Sequence, residues 1–261
     1  MKFTGKNLQI DSSVKIGSNV RIGDNVTIYP NVVIGDNTII CNDCVIGEPT
    51  MDYYSNLNYV NKPTIIGSNC LIRSHCIFYA GSVFGDFFQT GHQVTIRENS
   101  IFGCNCSVGT KSDIQGTCKI GDYTRMHSYV NIGQYSEIGS YVIIYPFVVL
   151  TNDPLPPSDE LIGVFIDDYS IISSHSVLIG GVSIGKHCLI GANSTVNKSV
   201  TNNSLVVPSF SVKILNNLFK LPFFTKDKKR KYPWPYNFSR GMPWAEKGYQ
   251  SWLEENNSLD S

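Results

Sequence analysis

Apolar residues recur in this chain at every sixth position. Ile10, Ile16, Ile22, Ile28, Ile34, Ile40 and Ile46 form one run, and the register resumes at Ile66 and holds to Leu150. A third run goes from Ile166 to Val196, giving 28 positions of which only Thr90 is polar. Four residues after each sits a small or β-branched residue: Val14, Val20, Val26, Val32, Thr38 and Cys44, then Cys70, Cys76 and Ser82, and later Val182, Cys188 and Ser194. Glycine often follows the aliphatic, as at Gly17, Gly23, Gly35, Gly121 and Gly185. Neither a helix, with period 3.6, nor an ordinary strand, with period 2, produces this pattern. A triangular solenoid does. Each six-residue side supplies a short strand and a corner, the two restricted positions point into a narrow prism, and Gly or Asn is expected to relieve the corners. Three sides make a coil of 18 residues, so the pattern predicts about nine coils, a stack roughly 45 Å long at about 4.8 Å per strand.

Two segments break the period: 48–63, EPTMDYYSNLNYVNKP, and 151–165, TNDPLPPSDELIGVF. Insertions leave a solenoid as loops at its corners and often build binding surfaces. Tyr53, Tyr54 and Tyr59 in the first suit stacking on a base or sugar; Asn152 and Asp153 open the second. The repeat region is assigned to 1–200 and a C-terminal extension to 201–261. In the extension, 211–224 reads as a short amphipathic helix capping the prism, followed by a basic run at 225–231. The tail aromatics Trp234, Tyr236, Phe238, Trp244 and Trp252 are expected to pack rather than to bind ligand.

Composition narrows the class. Of 261 residues, 16% are charged and the net charge is zero, which argues against disorder and against a general nucleic-acid binder. No apolar run approaches the length of a membrane span, and the N-terminus lacks the apolar centre of a signal peptide, so a cytoplasmic location is expected. The balance hides an asymmetry, since residues 1–199 carry a net −4 and residues 200–261 a net +4. Six of the eight cysteines, Cys44, Cys70, Cys76, Cys106, Cys118 and Cys188, fall on the small inward position, so they read as core fillers and no metal is expected. No histidine falls on an inward position. TGHQVTIREN (90–99) presents His92, Arg97 and Glu98 outward; two coils later, RMHSYVN (125–131) presents His127, Ser128 and Asn131. The 18-residue coil stacks His92 with Ser128 on one side of the prism, and Asn152 and Asp153 are expected to join them in one groove.

The repeat, with segments such as IGSNVR (16–21) and IGDNVT (22–27), resembles the left-handed parallel β-helix of the hexapeptide-repeat acyltransferases over about residues 8–200. The stretch 126–152, with TN at Thr151–Asn152, and the tail YPWPYNFSRGMPW are similar to bacterial N-acetyltransferases of nucleotide-linked amino-deoxyhexoses, of the dTDP-3-amino-3,6-dideoxyhexose type. That resemblance implies an all-β, left-handed parallel β-helix. It also implies acyl transfer from coenzyme A, commonly acetyl-CoA, to a sugar amine for bacterial surface glycans, with active sites between the subunits of a homotrimer. It assigns His127, Asn131 and Asn152 to catalysis. His92, Arg97, Glu98, Ser128, Asp153, Tyr53 and Tyr54 would bind the amino sugar. Gly180, Gly181, Ala192, Lys198 and Lys213 would hold coenzyme A. Many relatives close the prism with Gly-Asn-Pro-Ala where this chain has VVPSFSVK (206–213), so the adenine end of that site departs from the pattern. Two alternatives stand: O-acetylation of a sugar or serine hydroxyl, and a β-helix that is no acyltransferase, such as a zinc carbonic anhydrase. Against the second, His92 and His127 have the spacing of two zinc-binding histidines, but the place of the third is Ile132, a core residue.

Overall fold

In the computed structural model of the chain, residues 5–208, 228, 239 and 243–257 are described. The repeat folds as a left-handed parallel β-helix. Its strands, mostly two residues long, stack into three parallel sheets of ten, nine and ten strands, one strand more than the 28 repeat positions, the addition being Leu205–Val206. Face one runs from Gln9–Ile10 to Thr195–Val196, face two from Lys15–Ile16 to Ser183–Ile184, and face three from Arg21–Ile22 to Leu205–Val206. Residues 18 apart are paired through the repeat, as at Thr95 with Asp113 and Asp113 with Asn131, except across the insertions and in the last coil, where Leu189 pairs Leu205 only 16 residues on.

The core is what the period requires. Of the first restricted class, the residues from Ile22 to Val196 are buried, and the second class lies beside them. Each fully buried aliphatic removes apolar surface worth roughly 1.5–3 kcal/mol from water. Phe78, Phe84, Phe88 and Phe102 meet inside the prism, with ring centroids 4.5 Å apart for Phe78 and Phe84 and 5.5 Å for Phe84 and Phe102. The small inward position accepts Ser, Thr and Cys because the next coil satisfies them. Ser82, Ser112, Thr124, Ser170 and Ser176 each donate to a carbonyl fifteen residues on, and Cys70, Cys76, Cys106 and Cys118 place a thiol on the corresponding carbonyl. Ser112 and Thr124 also accept the backbone N–H eighteen residues on. All eight cysteines are free thiols, and six are buried.

The corners differ from expectation in one respect. Apart from Gly47 at the start of the first insertion, the glycine after the aliphatic does not supply the left-handed backbone; at Gly17 and Gly23, an added Cβ would stand 2.4 and 2.2 Å from Asp36 and Asn42 of the next coil, so glycine there permits close stacking. The left-handed residue comes two places later. It is Asn at 19, 25, 31 and 37, the residue that tolerates this region best, is mixed from 43 to 117, and is aromatic without a break from Tyr123 to Phe147. Phe87, Tyr123, Tyr129, Tyr135, Tyr141, Phe147 and Tyr169 all have φ between 58° and 66°. Rings one coil apart stack in columns. Tyr123, Tyr141, Tyr169 and His187 line the corner between faces two and three with centroids 4.9–5.0 Å apart, and Tyr129, Phe147 and His175 line the corner between faces three and one.

Both insertions leave the same edge, the corner between faces one and two, after Val45–Glu48 and after Val149–Leu150. The expected cap at 211–224 and Lys213 lie outside the described residues, as do Trp234, Tyr236 and Phe238. A helix not foreseen from the sequence spans Tyr249–Asn257, and Trp244, 8% exposed, packs with Tyr249 and Trp252. Ser239 donates through its backbone N–H and hydroxyl to Asp159, tying the extension to the second loop. Among the described residues no helix is long and apolar enough to cross a membrane.

Candidate functional site

The corner between faces three and one gathers part of the predicted site. The pairings Thr90–Val108–Met126–Ile144–Ile172–Ile190 on face three bring His92, Thr110, Ser128, Pro146, Ser174 and Ala192 into one row along the prism. The backbone N–H of His92 donates to the Thr110 hydroxyl at 3.2 Å, so consecutive coils of the row touch. His92 and Ser128 thus share one side, as their spacing implies, and His127 stands beside them.

His127 is exposed and held from three directions. Its backbone N–H donates to Ile144 O at 2.8 Å, and its carbonyl accepts from Ser112 Oγ at 3.1 Å. Its imidazole stacks on Tyr145, centroids 4.9 Å apart and planes 10° apart. The coil above leaves it no slack, since a Cβ on Gly109 would lie 2.3 Å from the His127 carbonyl carbon. Tyr145 was missed by sequence reasoning; its signal is that it stands 18 residues, one whole coil, after His127. The ring can accept or donate a proton at the prism surface with its plane fixed by the tyrosine beneath.

Asn131 lies one element away, outward on face one between Asp113 and Val149. Burial raises the Asp113 carboxyl above the ordinary carboxylate range, with Arg97 pulling the other way.

The second loop does not join this corner within one chain. Asn152 and Asp153 leave the corner between faces one and two, across the whole of face one from His127, so the expected single groove is not formed by one protomer. Asp153 is occupied as a loop anchor: its carboxylate accepts from Leu155 N–H, Ser158 N–H and Ser158 Oγ, and the Ser158 side is buried. Thr151 Oγ1 accepts from Gly180 N–H at 2.8 Å, and a Cβ at Gly180 would meet Ile162 O at 2.6 Å. Gly181 takes φ +84°, a left-handed corner. Both glycines therefore have a structural duty in seating the loop. Lys198 is exposed beyond Thr195–Val196, while Ala192 stands on the His127 corner.

Arg97 and Glu98 fall in a third place. They follow Thr95–Ile96 at the corner that carries both loops, bonded to each other through Arg97 Nη2 and Glu98 Oε1 at 2.9 Å and Arg97 Nε and Glu98 Oε2 at 3.1 Å. The first loop lies beside them and together they line a half-open cleft of about 490 Å³. Tyr53 and Tyr54 stand on that loop with exposed rings in edge contact, centroids 5.2 Å apart.

Comparison with known proteins bears on the repeat. Residues 4–103 match the model of the GMPPB C-terminal domain, and residues 181–206 match that of the hexapeptide repeat of succinyl-transferase. The bifunctional protein GlmU of Prochlorococcus marinus (strain NATL2A) is 50% identical over 42 residues, 16% of this chain and 9% of that protein, so the match spans about a tenth of the relative. Among solved structures, the UDP-N-acetylglucosamine acyltransferase of Francisella novicida is similar at 24% identity over 75% of this chain and 65% of its own, with a TM-score of 0.35. The Arabidopsis UDP-N-acetylglucosamine acyltransferase is similar at 17% identity over 77% and 65%, with a TM-score of 0.37. WeeI from Acinetobacter baumannii AYE is similar at 14% identity over 67% and 97%, with a TM-score of 0.33. The chain is a β-helix built from hexapeptide repeats, with two loops on one edge and a row of small residues and histidines on another.

Proposed function

We propose that the protein is a coenzyme A-dependent N-acyltransferase, with acetyl as the commonest group, acting on the amine of a nucleotide-linked amino-deoxyhexose. The observation that carries the reading is the His127 corner: an exposed imidazole of fixed plane beside the row of His92 and Ser128, which is continued by the small residues Pro146, Ser174 and Ala192. Such an edge suits an extended donor approaching the backbone. The match of residues 181–206 to succinyl-transferase repeats supports an acyl donor near the C-terminal coils.

The chemistry asks little of the protein. The sugar amine attacks the thioester carbonyl, the C–N bond forms, the C–S bond breaks, and coenzyme A leaves as the thiol. The nitrogen's proton passes to His127 or to the departing thiolate, and His127 also orients the amine by a hydrogen bond. The His127 N–H is already spent on Ile144, so the oxyanion is met by a different donor. Asn152 belongs to this site if a second copy brings its face-one/face-two corner against the first copy's His127 corner, which is how a homotrimer would complete three sites. Gly180, Gly181 and Lys198 of that copy would then reach the donor from the side opposite Ala192, with Lys198 and Lys213 meeting phosphates. A cytoplasmic location follows from the need for coenzyme A and nucleotide sugars.

Purified protein incubated with acetyl-CoA and a panel of dTDP- and UDP-amino sugars is expected to release thiol in proportion to amine consumed. Release with hydroxyl acceptors alone would redirect the reading to O-acylation.

A further inference from the structure

The imidazole of His127 has no polar partner. Among the described residues neither of its ring nitrogens takes part in a hydrogen bond or an ion pair. A histidine that moves protons is commonly oriented by a carboxylate or carbonyl on its second nitrogen. No such group is in place here, yet the ring has one defined plane. What it rests on is the ring of Tyr145, with centroids 4.9 Å apart and planes 10° apart.

The column around His127 leaves this duty to Tyr145 alone. The backbone N–H groups of Gly91, Gly109, His127, Tyr145 and Ser173 donate in turn to Val108, Met126, Ile144, Ile172 and Ile190, so these residues stand one per coil, each over the next. Toward the earlier coils His127 faces two glycines, which offer no side chain. A Cβ at Gly109 would lie 2.3 Å from the His127 carbonyl carbon, so no larger residue fits there. Toward the later coils stands Tyr145, and the short side chain of Ser173 lies two coils away, roughly 10 Å. One face of the imidazole is therefore covered by the phenol ring, and the other is open above Gly109. The other two ring columns on the prism surface run through left-handed corner residues; His127 and Tyr145 form the one ring stack at their position of the hexapeptide among the described residues.

Tyr145 is the better-fixed member of the pair. Its N–H donates to Ile172 O at 2.9 Å, and Pro146 behind it holds Tyr145 in extended backbone. Two residues earlier, Ile143 is paired on both sides, with Arg125 and Ile171. A ring seated in this way limits the side-chain torsions of the histidine that lies on it.

We propose that Tyr145 is a positioning residue of the acyl-transfer site, whose ring rather than hydroxyl holds His127 in the plane from which it meets the acceptor amine. The role rests on acyl transfer taking place at this corner. The test compares the unaltered chain with Tyr145→Phe, Tyr145→Leu, His127→Ala and the Tyr145→Leu/His127→Ala double variant, using acetyl-CoA and an amino sugar that the unaltered chain acylates. Tyr145→Phe keeps the stack and is expected to keep kcat. Tyr145→Leu keeps apolar bulk without a ring, and kcat is expected to fall about tenfold, the upper end of what an aromatic pair is worth, with both KM values little changed. Added to His127→Ala, Tyr145→Leu is expected to cost nothing further, because its target is gone. Proton NMR of the His127 ring reads the stack without turnover: the ring current of residue 145 moves the imidazole protons upfield in the unaltered chain and in Tyr145→Phe, and the displacement is lost in Tyr145→Leu. Circular dichroism checks that each variant keeps the prism, and Tyr145 is exposed. Undiminished kcat in Tyr145→Leu, a loss confined to KM, a Tyr145→Phe variant as slow as Tyr145→Leu, a full further loss in the double variant, or imidazole protons that do not move would each overturn the role. No transfer to any amino sugar by the unaltered chain would overturn acyl transfer at this corner and the role with it, whereas transfer indifferent to residue 145 overturns the role alone.

Discussion

At the scale of single residues, one corner position decides much of what this chain shows to solvent. The left-handed residue is Asn in the first coils and Tyr or Phe at every coil corner from Tyr123 to Phe147, although a bulky side chain is a poor occupant of that region. Stacking over a spacing set by the strands, near 4.9 Å, offsets the cost. His127 is held by the same spacing, on Tyr145. Two expectations belong here. Burial raises Asp113 above its unfolded value, so the fold holds that proton more tightly and is favoured most in acid, losing this as pH rises through the folded value. Asp113→Asn should therefore raise the melting temperature at pH 7, with an advantage that fades below about pH 4; an advantage unchanged by pH would refute the account. A thiol reagent should modify only Cys41 and Cys104 in the native chain, with Cys41 slower because burial raises its thiol, and the six buried cysteines only after unfolding.

At the scale of elements, inward positions were legible in the sequence because period six is a local property: two residues in every six must meet the axis, whatever the coil above carries. The exchange of Ser, Thr and Cys among small inward positions has the same simplicity, since each finds the carbonyl fifteen residues on. Contacts across corners were less legible. Pairing His92 with Ser128 needs only the count of 18, but placing Asn152 needs knowledge of which corner the loop leaves. The expected common groove failed for that reason: loop and histidines stand at opposite ends of face one. Tyr53, Tyr54, Arg97 and Glu98, grouped with His127 from the sequence, belong to a different corner. The tightest element is the phenylalanine stack. Phe84→Ala, which opens a cavity where four rings meet, should cost about 3–5 kcal/mol in urea unfolding. A loss below about 1 kcal/mol would mean that neighbouring coils close over the gap.

At the scale of the whole molecule, stacked coils contact only their neighbours, so the prism gives a long, rigid ruler with three edges rather than one enclosed pocket. One edge carries both loops, and another carries the histidine row. No single chain brings the two edges together, which makes the assembly of copies part of the functional reading. The zero net charge conceals an acidic prism and a basic extension, an arrangement suited to an anionic donor near the C-terminal coils. The central claim is that acyl transfer takes place at the His127 corner. The most direct measurement is thiol release from acetyl-CoA with an amino-sugar acceptor, comparing the unaltered chain with His127→Ala. If His127 takes the proton, kcat/KM should fall about 10²–10⁴-fold while the variant remains folded and still binds coenzyme A. Acceptor-dependent thiol release at the same rate in both proteins, or none in either, would contradict the account.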